Sequence, residues 1–143
     1  MDEKVPALRE AYNLCQGLYS VDLFKKSEGY VLEQLEWNLR VITPYQFVHH
    51  YISKGCIFSS DQTAFPNVDA DILRYLRRYA ECFVNLSLDN YEFNQFSAHI
   101  VACAAIASTR KLVGISPFWN AELEELTGTS WDIIEPCFNE LYR

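Results

Sequence analysis

Half of the 143 residues are apolar, 15% are aromatic, and Gly and Pro number only five each, which excludes a collagenous or low-complexity chain and fits one compact domain with one core. The 12 Lys+Arg against 19 Asp+Glu leave a formal charge of −7, so a phosphate backbone is repelled unless the bases gather on one face, and nucleic acid is not an expected partner. No apolar run approaches the roughly 18–20 residues that cross a bilayer, and the first residues lack the apolar centre of a secretory signal. Cys15, Cys56, Cys82, Cys103 and Cys137 form no C-x-x-C pair and read as free, buried thiols. The expectation is an intracellular chain, in nucleus or cytoplasm, with no membrane partner.

The elements follow in chain order. Pro6 suits the first turn of a short helix through Leu14, with Gly17 as its stop. Ser20 is an N-cap for a second helix carrying Phe24, Val31, Leu32, Leu35 and Leu39 near one stripe and ending near Asn38. Thr43-Pro44 opens a third helix over 44–54, closed by Gly55. Cys56 to Asn67 is rich in turn formers and reads as the longest and most mobile loop. From Asp69 to Asn85 an amphipathic helix sets Ile72, Leu73, Leu76, Tyr79, Ala80, Phe83 and Val84 against a charged face. Ser97 to Ser108 is small and nearly uncharged until Arg110-Lys111, as a central helix buried on nearly every side should be. Asn120 caps a short helix that Gly128 ends, and a last helix runs from about Ser130 to Leu141 with Pro136 inside it, where an axis bend or a one-sided helix is expected. No segment alternates with period two, so no sheet is expected.

Chemistry-bearing residues are sparse. His49 and His50 point about 100° apart on a helix, and neither has a Cys, Asp or Glu three or four positions away, so no metal site is expected. His99 reads as a hydrogen-bonded core or near-surface histidine rather than a catalytic base, and Cys103 and Cys137 as inert thiols on apolar stripes. Phosphate loops, nucleophile elbows and zinc-protease motifs are absent, so no catalytic residue and no cofactor are expected, and the chain reads as a non-enzyme. Arg74, Arg77 and Arg78 with Tyr75 and Tyr79 interleaved could grip phosphates, although a solvated helix face is the commoner meaning of such a stripe. Trp37, Trp119 and Trp131 stand near helix ends and read as packing at bundle corners.

The run Leu32-Glu33-Gln34-Leu35-Glu36-Trp37-Asn38-Leu39, then Thr43-Pro44 and Phe47, resembles the junction between the two helical boxes of a cyclin. Cys103-Ala104-Ala105-Ile106-Ala107, Trp119, Leu126-Thr127-Gly128 and Ile134-Glu135-Pro136-Cys137 are similar to helices three to five of a second cyclin box. Tyr79-Ala80, Ser87 to Phe93, Ala107 to Arg110, Ser116-Pro117 and Ser130-Trp131-Asp132 resemble the J type.

The resemblance implies an all-α fold: a five-helix cyclin box over 43–143, preceded over 1–42 by a linker and two helices left from a first box whose first three helices are lacking. It implies a regulator that performs no chemistry, binds a cyclin-dependent kinase and acts in cell-cycle control. The Lys and Glu by which cyclins anchor the kinase's regulatory helix would fall upstream of Met1 and are not transferred. Leu8, Tyr12 and Leu14 remain as candidate kinase contacts, with packing on the following helix as the alternative. A second reading is a cyclin-fold interaction or scaffold module that activates no kinase and self-associates through the face left bare. A third, a nucleic-acid binder of the transcription-factor type, is disfavoured by the net charge.

Overall fold

The computed structural model describes residues 8–16, 18–63 and 70–143, with the backbone alone for Leu8, Arg9, Ala11, Ala70 and Asp71. Pro6, the Gly17 stop, Asp69 and the end of the Cys56–Asn67 loop lie outside the described residues. The chain divides into two compact units, Met1–Val41 and Ile42–Arg143.

The first unit holds α1 (Leu8–Leu14) and α2 (Val21–Gln34). Ser20 caps α2 as expected, its side chain accepting from the Leu23 N–H at 3.2 Å. The expected end near Asn38 is corrected: the helix stops at Gln34, and Glu36 (φ 51°) and Trp37 (φ 55°) take left-handed backbone. The Trp37 N–H reaches back to Leu32 O at 2.9 Å and the Glu36 N–H to Glu33 O at 3.0 Å, the hydrogen-bond pair of a Schellman ending, here without the usual Gly. Trp37 is left 67% exposed, so the packing role expected of it fails. No residue of α2 is buried, and Val31, Leu35 and Leu39 of the expected stripe are exposed.

The second unit begins with α3 (Pro44–Lys54), where Pro44 occupies the first turn and the Thr43 N–H donates to Gln46 Oε1 at 2.9 Å. A two-residue strand, β1 (Gln62–Thr63), precedes α4 (Ala70–Asp89) and a single 3₁₀ turn (Tyr91–Gln95). Then come α5 (Ala98–Leu112), β2 (Ile115–Ser116), α6 (Ala121–Thr127) and α7 (Trp131–Leu141). β1 pairs antiparallel with β2, Gln62 opposite Ser116, which corrects the expectation of no sheet; two residues are too few to show alternation. α4 outruns its expected end at Asn85, and Ser87 on its added turn is buried, donating to Val84 O at 2.7 Å.

α5 is the axis of this unit, with every residue from Val101 to Arg110 buried and α3, α4 and α7 packed on it. Its Ala102, Ala104, Ala105 and Ala107 are fully covered, and side chains this small let neighbouring helix axes approach closely. Val48 and Tyr51 of α3, Ala80 and Val84 of α4, Leu123 of α6 and Ile134 and Phe138 of α7 fill the core around it. Regular helix lies on both sides of Pro136; Asp132 and Pro136 are both exposed, so the carbonyl deprived of its donor has water within reach.

Candidate functional site

Arg110 and Asp61 form the most concentrated polar group in the second unit, both side chains fully buried. Asp61 Oδ1 and Oδ2 accept from Arg110 Nη2 at 2.6 Å and Nη1 at 2.9 Å. The other guanidinium N–H groups donate to Phe118 O (3.0 Å), Pro117 O (2.8 Å) and Cys56 O, so every donor is used. Asp61 also accepts from the Phe58 N–H at 2.8 Å and Asn120 Nδ2 at 2.9 Å, while Asn120 caps α6 by accepting from the Leu123 N–H at 2.9 Å. Arg110 was expected to mark the end of the uncharged run and the Asp61 loop to be the most mobile; instead the two tie that loop to α5 and the α6 entry. The group offers no open coordination or reacting position and acts as a structural lock.

The thiols divide by burial. All five are free, but Cys82 is exposed and Cys15 half-buried, against the expectation of burial throughout. Burial pushes the Cys56, Cys103 and Cys137 thiols from an ordinary 9.0 up to about 12. Nearby Arg110 opposes this at Cys56, and hydrogen bonds from Thr127 and Thr129 oppose it at Cys103. Across pH 9.0 to about 12 the unfolded chain binds fewer protons than the folded one, so these three thiols contribute stability below that window and withdraw it as pH rises through it. Iodoacetamide at about pH 8 is therefore expected to label Cys82 in the folded protein and Cys56, Cys103 and Cys137 only after denaturation, as counted by mass spectrometry.

His99 is half-buried at the edge of the core, its Nε2 lying 3.5 Å from Cys103 Sγ and 3.4 Å from Thr129 Oγ1, with its ring against Phe47 and Tyr51. His49 Nε2 on α3 stands 3.0 Å from Glu81 Oε1 on α4 without the alignment of a hydrogen bond, and Tyr45 Oη donates to the same oxygen at 3.4 Å. The sequence conceals this pair because its acidic partner lies on another helix. Among the described residues no three His, Cys, Asp or Glu are placed to hold a metal ion.

A row of rings closes the end of the box. Phe118 stacks on Phe138 and Phe138 on Tyr142, each with centroids 5.4 Å apart, while Trp131 meets Phe138 edge-on at 5.0 Å. Lys111 Nζ lies 4.4 Å from the Tyr142 centroid, 5.1 Å from Phe138 and 5.6 Å from Phe118, a cation resting on three π faces. Trp131 and the buried Trp119 thus pack as expected, unlike Trp37.

Of the candidate kinase contacts, Leu8 has its side chain outside the described residues, Tyr12 is half-buried and Leu14 is 83% exposed on α1. Among the described residues no helix is long and apolar enough to cross a membrane.

A family model described as "Cyclin, C-terminal domain" matches residues 42–143. Cyclin-J of Xenopus laevis is 30% identical over an alignment covering 98% of this chain and 38% of that protein. Cyclin-J of Homo sapiens is 28% identical over 98% of this chain and 36% of its own length, and Cyclin-D of Ostreococcus tauri 29% identical over 86% and 34%. The chain thus spans little more than a third of the length of these relatives. With the helical box around α5 coinciding with the matched stretch, the chain belongs to the cyclin family and resembles its J type.

Proposed function

We propose that this protein is a non-enzymatic, cyclin-like regulator that binds a cyclin-dependent kinase and modulates its activity in cell-cycle control. The match of residues 42–143 to the C-terminal cyclin domain is the observation that carries this reading. A regulator of this kind shifts the kinase between existing conformations by binding one of them better, and needs no reacting group of its own. Leu14 presents an apolar side chain to solvent on α1, and with Leu8 and Tyr12 is assigned to the kinase contact. Affinity purification of the tagged protein from its own cells is expected to recover a cyclin-dependent kinase at near-equal stoichiometry, with recovery falling about tenfold for Leu14→Asp. Absence of any such kinase from the purified material would sink the proposal.

A second reading, an interaction or scaffold module that activates no kinase, is favoured by the absence of buried residues on α2 and the exposure of Leu23, Tyr30, Val31 and Leu35 along it. Apolar surface of this kind is commonly covered by a partner or a second copy. Concentration-dependent self-association in sedimentation, with no kinase recovered, would favour this reading over the first.

A further inference from the structure

The end of α4 carries a charge that the helix itself opposes. The last four carbonyls of an α-helix have no partner within it and make that end partially negative, so a Lys or Arg is favoured there. α4 has no base in its last turn; its final residue is Asp89, and Glu92 follows on the 3₁₀ turn. No Lys or Arg stands between Arg78 and Arg110. Among the described residues neither carboxylate has a basic partner, and Glu92 Oε2 takes only the neutral Asn90 Nδ2 at 3.4 Å. Charged and titratable groups on the neighbouring elements are engaged elsewhere. His49 of α3 stands against Glu81, His50 and His99 lie on Tyr51, and Arg143 after α7 pairs with Glu140. Arg78 is eleven positions back along α4, about 16 Å of helix rise, against the roughly 8 Å over which salt screens exposed charges.

The same corner holds the two most exposed large apolar side chains described in residues 42–143, Tyr91 at 87% and Leu88 at 73%. Its shape is fixed from beneath. Phe93 is buried with its ring against Phe96, the Asn90 side chain accepts from the Glu92 N–H at 3.0 Å, and the Phe93 N–H donates to Asn90 O at 3.2 Å. Where α3 and α5 end, Lys54 and Lys111 stand in the last turn, as the dipole favours. Over Leu88 to Glu92 both local preferences are broken together, with acids at a negative helix end and apolar side chains in water. Such departures gather where a surface serves binding rather than folding.

We infer that this corner docks an arginine-bearing basic segment of a partner protein. A guanidinium answers each feature. It supplies the cation missing from the α4 C-terminus, its fork matches the Asp89 and Glu92 carboxylates, it rests on the Tyr91 ring as a cation on a π face, and its aliphatic stem covers Leu88. An acidic segment or a phosphate backbone meets only repulsion here.

The test uses the full chain and a fluorescein-labelled Gly-Arg-Ala-Arg-Ala-Arg-Gly peptide, followed by anisotropy at low salt. Saturable binding with a micromolar Kd is expected, weakening about tenfold or more for Asp89→Lys and about fivefold for Tyr91→Ser. Asp89→Lys should at the same time keep or raise the melting temperature, since it puts a base where the helix end favours one, so lost binding does not report lost folding. Glu125→Lys, an equal change of net charge at an exposed position of α6, is expected to bind as the wild type does. Amide shifts on titration should centre on Leu88, Asp89, Tyr91 and Glu92. The inference is overturned by absence of binding at millimolar peptide, by Asp89→Lys and Tyr91→Ser binding as the wild type does, by Glu125→Lys weakening binding as much as Asp89→Lys, or by shifts centred elsewhere. Self-association of the chain that Asp89→Lys abolishes would also overturn it, by giving the corner to a second copy. None of these readouts involves a kinase, so this inference and the kinase proposal stand or fall separately.

Discussion

Asp61→Ala is expected to destabilise the Ile42–Arg143 unit by about 3–5 kcal/mol, because it strands the Arg110 guanidinium in the core without its counter-charge. For a unit of this size such a loss lowers the Tm by more than about 10 °C. The effect exceeds that of an ordinary salt bridge because the Asp61 carboxylate also holds the Phe58 N–H and Asn120, so one truncation leaves several buried donors unmatched. Replacing both charges, as Asp61→Leu with Arg110→Met, should recover part of the loss, since an apolar pair of similar volume removes the desolvation penalty with the attraction. Thermal and urea melts followed by circular dichroism measure both quantities. A single variant that melts like the wild type would show that the pair is solvated.

Phe138→Ala is expected to cost about 3–5 kcal/mol, the range for deleting a buried aromatic side chain. Phe138 is only 4% exposed and sits between Phe118 and Tyr142 in the ring row, with Trp131 at its edge and the Lys111 ammonium above it. Phe138→Leu restores much of the volume without the ring, and the residual loss of about 0.5–1.5 kcal/mol then reports the aromatic contacts. Lys111→Met in both backgrounds closes a double-mutant cycle: coupling of about 0.5–1 kcal/mol is expected if the cation rests on that ring, and additivity would contradict it. Lys111 also stands in the last turn of α5, so part of its own effect comes from the helix C-terminus and cancels in the cycle.

The all-helical architecture was legible in the sequence because its punctuation is chemical: Ser20, Thr43-Pro44, Asn120 and Ser130 stand where α2, α3, α6 and α7 begin, and Gly55 and Gly128 where α3 and α6 end. The end of α2 was not, because Glu36 and Trp37 adopt left-handed backbone without the Gly or Asn that would signal it. The central place of α5 followed from its alanines, but the burial of Arg110 did not. A charge at the end of an apolar run looks like a solvated helix terminus, and its partner lies 49 positions away in a stretch that reads as turn. The His49–Glu81 contact and the β1–β2 pair escaped for the same reason, since each is made by residues whose adjacency only the packing of helices creates.

The Arg110–Asp61 lock also bears on how fast the box comes apart. α3 with α4 and α4 with α5 are neighbours along the chain, so their contacts close modest loops, whereas the lock must bring together residues 49 apart for a few hydrogen bonds. Interactions of that kind are expected to form after the folding barrier is crossed, and those absent from the transition state govern the unfolding rate. Asp61→Ala should therefore leave the refolding rate near that of the wild type and shorten the lifetime of the native state, making the 56–63 segment a determinant of kinetic persistence.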